Sequence, residues 1–504
     1  MRPSRIGIAF LLLILPAIIS CNGPTGKKKA SSEYTDEIIN QKAEGYSGIW
    51  YQNTPLENEF RFKYSGGLGT YCAKHRPFAI YAEKVDKTFF CYGAAPPDLY
   101  QSTDLVERHP YPAPGLLLHA VGYFDHETGM VCRPTYIMDK GTGDAHDNPV
   151  ISLDDEGYIW IFSTSHGRSR PSYIHRSRDP FKIDSFERIP AVQVLGKDTV
   201  PFDNFSYFQP WHIPGRGFMV FATRYNYPVD RTPCYLTSRD GMIWSPWQRI
   251  ATLGVGHYQV STSNGLKSGT MLNYHPEVEG EVHGLNFRTN LYYLETPDMG
   301  STWRTTGGEK LSLPLKEIQN PALVHDYRSD SLLVYLKDLQ FDEEGNPVLL
   351  YITSPGYVSG PENDPRTWTL AHWNGTEWRI SEITTSDNNY DAGELILYPD
   401  RWILIAPTET GPQPYNPGGE LAMWESQNKG ENWKKTGQIT AGSEYNHTYV
   451  RRVLDAHPDF LALWADGHGR QPSNSRLYFI NQHDEVHRLP FHMGQDFEKP
   501  ERIH

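Results

Sequence analysis

Cysteine is scarce in this chain: there are five in 504 residues, and one of them, Cys21, follows directly on an N-terminal apolar run. The other four, Cys72, Cys91, Cys132 and Cys234, are too few for disulfides to be the main source of stability, and none of their spacings makes a zinc ribbon. One bridge fits an oxidising compartment; buried free thiols are the plainer expectation. Helical patterning is missing too, since no stretch after the N-terminal segment sustains a 3.6-residue apolar period over helix length. Positive charge is in short supply: the formal net charge is −13 and no basic run exceeds "KKK" at residues 27–29. That balance excludes nucleic acid as a partner. The apolar run "IGIAFLLLILPAIIS" is short and closely followed by polar sequence, which argues against a lasting membrane span.

What stands at the N-terminus is a signal-peptide layout over residues 1–20, with the basic "MRPSR" ahead of the apolar run and small residues at its end. "AIISC" is similar to a bacterial lipobox, which makes Cys21 the expected lipidation site; a plain secretory signal is the alternative. Residues 21–44 then read as a lipidated cysteine and a polar tether, and 45–504 as the folded domain. An exported chain that meets a membrane only through its lipid anchor is the expectation.

Gly and Pro number 43 and 38 and are spread along the chain, which favours many short elements joined by turns. One design recurs: an apolar strand, a turn rich in Asp, Gly or Asn, and a second apolar strand. "PVISLDDEGYIWIFST", "LLVYLKDLQFDEEGNPVLLYIT", "TLAHWNGTEWRISEI" and "LILYPDRWILIAPT" are four instances of this hairpin pattern. A sharper repeat is the Asp box, complete in "TPDMGSTW" (296–303), shortened in "SRDGMIW" (238–244) and with Asn for Asp in "SQNKGENW" (426–433). Its Asp or Asn caps backbone N–H groups, its Gly supplies a positive φ, and its Trp packs beneath the turn. Such boxes mark propeller blades. The expected fold is all-β, a single β-propeller of six or seven blades of about 65 residues each, seven being preferred. Two β-sandwich domains are the alternative, disfavoured because no Pro/Ser-rich linker divides the chain.

The chemistry concentrates around "GTGDAHDNPVISLDDEGYIWIFSTSHGRSRPSYIHRSRD". His146 precedes the first strand of a hairpin and His166 follows the second, so both imidazoles should meet at one rim of a blade. Arg168, Arg170, His175, Arg176 and Arg178 follow, and Arg168 and Arg176 are candidates for holding an anionic substrate. By the same hairpin argument Tyr207 and Arg224 meet at a rim. Two imidazoles, a phenol and a fixed cation suit proton abstraction beside a carboxylate: Arg neutralises the carboxylate, and His or Tyr takes and returns the proton.

"DAHDNPVISLDDEGYIWIFSTSHG", "SYFQP" and "ATR" together resemble the propeller-type ulvan lyases and the wider BNR-4-like group of secreted polysaccharide enzymes. The resemblance implies a seven-bladed propeller, cleavage of glucuronate-containing chains to 4,5-unsaturated products, and His146, His166, Tyr207 and Arg224 as catalytic residues. Of these, only Arg224 has a firm role, on the carboxylate. "YSGIWY" and "AKHRP" also look like a branch acting on terminal L-rhamnose linked to glucuronate, in which one histidine on the opposite face reacts; His75 is its match. The chemistry requires no cofactor. A structural divalent metal, zinc or calcium, is left open with its ligands unassigned: His257, His275, His283 and Cys234 are available, but no spacing makes a ligand motif. A sialidase would need an arginine triad and a Tyr/Glu pair that cannot be placed. The rival from another class is a glycan-binding lipoprotein without catalysis, since abundant Tyr and Trp suit sugar stacking equally well. A monomer is expected.

Overall fold

The computed structural model describes residues 38–69, 74–97, 99, 116–280 and 284–503. The signal peptide, Cys21, the start of the tether, Cys72 and His283 lie outside the described residues. Within them the chain is a seven-bladed β-propeller. The innermost strands of the blades are Ala79–Ala82, Pro149–Leu153, Ser206–Ile213, Gln259–Ser263, Leu333–Phe341, Glu394–Leu397 and Asn446–Leu454. Each touches the next, and the seventh touches the first, so the ring is closed.

Each blade is built from antiparallel hairpins, and the four hairpins expected from sequence all form. The Asp boxes sit in the turn that closes the third strand of blades three, four and six. In the complete one Asp298 accepts from the Thr302 N–H at 2.7 Å, and Gly300 has φ +87°. Trp303 is packed beneath it against Tyr235 and Phe221. The same aromatic filling occurs between blades two and three, where Trp160, Phe162, Phe208, Phe218 and Trp244 interlock. Burying one such ring contributes on the order of 2–3 kcal/mol, so wedges of this kind, rather than cross-links, hold neighbouring blades together. Cys91, Cys132 and Cys234 are buried free thiols, as expected.

The ring is clasped at the junction of blades one and seven. Their inner strands pair in parallel, Ala79 with Val453 and Ile80 with Leu454. Phe497 and Glu498, close to the C-terminus, pair with Cys132 and Val131 of blade one. The folded part also starts earlier than the sequence boundary at residue 45. Ile38–Lys42, assigned above to the tether, is the outermost strand of blade one against Thr135–Asp139. Asn40 fixes it by a reciprocal pair of 2.9 Å hydrogen bonds to the backbone of Phe186 in blade two.

The axis is filled by charge. Arg76 reaches Asp338 at 2.6 Å and Glu394 at 2.5 Å, and Arg451 reaches Glu394 at 3.1 Å. These side chains come from blades one, five, six and seven and are almost wholly buried. Beyond them, at the opposite ends of the inner strands, lies a separate depression of about 550 Å³ lined by Tyr81, Asp155, His212, Asn264 and Arg452.

Several imidazoles are buried in the neutral form. Burial lowers the pKa of His175 to about 3 and those of His146, His257 and His447 to about 4. In the unfolded chain each would take a proton below its ordinary value of about 6.5. A depressed folded pKa therefore gives stability that is present above pH about 6.5 and is lost as pH falls toward 4. The melting temperature is expected to fall steadily across that window. A flat profile between pH 6.5 and 5, where few carboxylates titrate, would contradict it.

Candidate active site

One rim of the ring gathers most of the residues singled out from sequence. Asp144 begins a short 3-10 turn, Ala145–Asp147, and caps it by accepting the His146 N–H at 3.1 Å. The following strand pairs Pro149 with Ser163, and Thr164 bonds the carbonyls of His146 and Asn148. The two ends of the hairpin are thereby held together. His146 and His166 stack with centroids 3.9 Å apart and planes 8° from parallel. A single carboxylate orients both: Asp144 Oδ1 lies 2.5 Å from His146 Nδ1, and Oδ2 lies 2.8 Å from His166 Nδ1. Arg170 in turn grips Asp144 at 2.9 Å and makes a two-point contact with Asp147 at 2.6 and 2.8 Å.

Electrostatics follow from this packing. Burial raises the pKa of Asp144, but the facing His146 and His166 outweigh it and hold the carboxyl well below its ordinary value. Burial, reinforced by His166, depresses His146 despite its carboxylate, so it is neutral at pH 7. With Nδ1 of each ring engaged by Asp144, proton transfer falls to Nε2. His166 is 29% exposed whereas His146 is buried, so His166 is the more accessible ring of the pair.

Tyr207 enters from blade three. Its backbone is left-handed (φ +49°) at a bulge between Ser206 and Gln209. A bulge of this kind re-aims a side chain, here toward the axis. Its ring lies edge-on to His146 at 6.0 Å, to His75 at 5.4 Å and to Tyr258 at 5.6 Å. His75 is therefore in the same constellation and not on the opposite face, which corrects the expectation attached to it. It is wholly buried, and burial first, then His146, keeps it neutral. The reason is ring closure: residues 74–78, which lead into the first inner strand, lie between blades, with His75 beside Tyr207 and Lys74 donating to the Leu336 carbonyl.

Arg224 lies at the flank of the group. Neighbouring side chains of a strand face opposite ways, and Tyr225 is the one that approaches His166, at 6.1 Å. Arg224 instead stacks 5.3 Å from Trp247 and donates to the Asn204 carbonyl at 3.1 Å. Asn204 donates onward to the carbonyls of Gly167 and Arg170, so Arg224 is joined to the His166 loop through one residue. Arg168 is exposed on that loop and adds a like charge near Arg224.

Arg176 does not belong to the site. It is paired with Trp160 on the third strand of blade two, bonds Glu187 at 2.8 Å and covers the Tyr158 ring at 4.7 Å. Its strand leads away from the rim, so the basic residues after His166 do not form one patch. Arg176→Ala is expected to leave turnover within about twofold of wild type, as for a surface ion pair remote from the chemistry. A tenfold loss would restore it to the substrate path.

Sequence reading named Arg170 only as one of the basic residues after His166, and it missed Asp144 and a set of deeper cations. Arg231 stands over the Tyr225 ring at 5.0 Å, Arg288 over Tyr258 at 4.7 Å and Tyr335 at 4.6 Å, and Lys74 over Tyr258 at 5.3 Å. For Asp144 a signal was available: Asp two residues before His in "GDAHD" is an Asx cap that also reaches the imidazole. The cations gave none, because they converge only when the ring closes.

Metal-ligating atoms converge at two places among the described residues: Asp144 with His146 and His166, and Asp86 with His126 and His457. Neither includes Cys234, His257 or His275. Both ring nitrogens of His257 are engaged, by the Leu253 N–H and the Asn273 carbonyl.

Comparison with known proteins agrees with the fold. Residues 121–386, from the third strand of blade one to the end of blade five, match the BNR repeat-containing family. An ulvan lyase of Nonlabens ulvanivorans is 22% identical over 366 residues, 64% of this chain and 71% of the relative. An ulvan lyase of Pseudoalteromonas sp. is 20% identical over 404 residues, 73% of this chain and 79% of the relative. Among solved structures, a polysaccharide lyase PL25 ulvan lyase bound to -[GlcA(1-4)Rha3S]- superposes with a TM-score of 0.64 at 16% identity. The match covers 88% of this chain and 96% of that one.

Proposed function

From a chain that belongs to the BNR repeat-containing family, we propose a polysaccharide lyase that cleaves an acidic, ulvan-like chain of rhamnose and glucuronate by β-elimination. The observation that carries this is the pair of stacked imidazoles held by one carboxylate beside Tyr207. A uronate C5 proton is only weakly acidic, so its carboxylate must be neutralised before the proton can leave. Arg224, joined to the His166 loop only through Asn204, is assigned the fixed charge from the flank of the site, and Arg168 beside it a neighbouring uronate or sulfate. His166, the solvent-facing ring, takes H5 on Nε2, and Asp144 stabilises the imidazolium that forms. The Tyr207 phenol is assigned to the departing O4. His146, neutral and stacked behind His166, keeps a second positive charge away from the base.

The test is absorbance at about 235 nm while the purified chain acts on ulvan, because the unsaturated uronyl product of proton abstraction and elimination absorbs there. A rise with new 4,5-unsaturated ends supports the reading. Free rhamnose without absorbance would replace elimination by hydrolysis, and silence on both would leave a glycan-binding protein.

The chain is further proposed to act as an exported monomer anchored through Cys21, on the strength of "MRPSR", the apolar run and "AIISC". Cys21→Ser is expected to move the protein from the membrane to the soluble fraction. Retention in the membrane would refute the anchor.

A further inference from the structure

A second cluster, unrelated to the rim chemistry, stands at the clasp between the first and last blades. Asp86 sits in the turn between the first two strands of blade one, in a left-handed conformation (φ +50°), and His126 in the turn after the third strand. His457 and Asp459 lie in the first turn of blade seven. The two imidazoles face each other with centroids 3.9 Å apart. His457 Nε2 is 4.0 Å from Asp86 Oδ1, and His126 Nδ1 is 4.0 Å from Asp459 Oδ2. One ligand atom each from Asp86, His126 and His457 lies within 4.8 Å of the others.

We propose that Asp86, His126 and His457 form a binding site for a divalent transition metal, zinc foremost, that staples blade one to blade seven. Three features point to a ligand rather than to a chance group of side chains. First, the His126 side chain is 1% exposed, yet its Nδ1 has no hydrogen-bond partner, and this atom faces the cluster. Second, the supporting contacts are already arranged. Thr88 Oγ1 lies 2.9 Å from His126 Nε2, which suits a proton on Nε2 and leaves the Nδ1 lone pair for a metal. The Tyr81 hydroxyl donates to Asp86 Oδ1 at 2.9 Å and fixes the carboxylate. Third, a carboxylate is at hand for the second imidazole. When His457 binds through Nε2, its Nδ1 carries the proton and turns from the Asp459 N–H, now at 3.1 Å, to the Asp459 carboxylate, now at 3.7 Å.

Two imidazoles and a carboxylate are a borderline-soft donor set that suits zinc and disfavours calcium or magnesium, which take oxygen ligands. Tetrahedral zinc at about 2.0–2.1 Å from each donor needs ligand atoms roughly 3.3 Å apart, so atoms now within 4.8 Å of one another must draw together by up to about 1.5 Å. Asp86 and His457 are partly exposed, which leaves a path for the ion and room for a water as fourth ligand.

The experiment uses the purified full chain, stripped with chelator and then titrated with Zn²⁺ or Co²⁺. Wild type is expected to retain one more equivalent of metal than His457→Gln or Asp86→Asn. It should show the d–d bands of four-coordinate Co²⁺ and gain at least about 3 °C in melting temperature with excess Zn²⁺. The metal-free variants should melt with metal-free wild type, which separates lost binding from lost folding. His166→Ala should keep the extra equivalent, which separates this site from the rim histidines. Equal metal content in wild type and His457→Gln, or an equal thermal gain in both, would overturn the proposal.

Discussion

Alanine in place of His166 is expected to lower turnover of ulvan by about 10²–10⁴-fold while leaving the fold intact. The size follows from the proposed role: His166 is the exposed member of the stacked pair, and its Nε2, the ring nitrogen not engaged by Asp144, is the proposed base. The intact fold follows from its surroundings. The ring is 29% exposed, its hydrogen bond is to Asp144, and Asp144 keeps His146 and Arg170 as partners when His166 is gone. Single-turnover absorbance on ulvan, with the melting temperature as control, reads both halves of the expectation. Turnover within tenfold of wild type would remove His166 from the chemistry. Lost turnover with a collapsed melting temperature would make it structural.

Asp144→Asn should be almost as severe, for a different reason. The carboxylate accepts from Nδ1 of both imidazoles at once. An amide offers one acceptor and one donor, so one ring must present its Nδ1 lone pair and move its proton to Nε2, where it can no longer act as a base. A loss of about 10²–10⁴-fold is expected, the scale seen when a catalytic imidazole is held in the wrong tautomer. Arg170 still has both oxygens of Asp147, so the loop should stay in place. The diagnostic readout is the split between kcat and KM. In Asp144→Asn kcat should fall more than KM rises. Unchanged kcat would show that Asp144 only braces the loop.

What sequence made legible divides by range. The hairpins and Asp boxes are local: a two-residue period, a turn residue and a Trp a few positions on are enough, and all appear where expected. The meeting of His146 and His166 was legible for the same reason, because one hairpin brings its own ends together. Arg176 was misplaced because alternation gives two faces to a strand without saying which points along the flank of a blade. His75, Arg231, Arg288 and Lys74 were out of reach of such reasoning. They approach Tyr207, Tyr225 and Tyr258 only through the curvature of a closed ring, a property of seven blades together and of no single stretch. The early start of the folded part at Ile38 escaped for a related reason, since its partner strand begins almost a hundred residues later.

The salt-bridged plug of Arg76, Asp338, Glu394 and Arg451 makes the ring a bowl with a floor instead of a tube. A glycan bound on the rim therefore has no passage along the axis to the far face. Whatever is cut there would have to leave from the side on which it arrived.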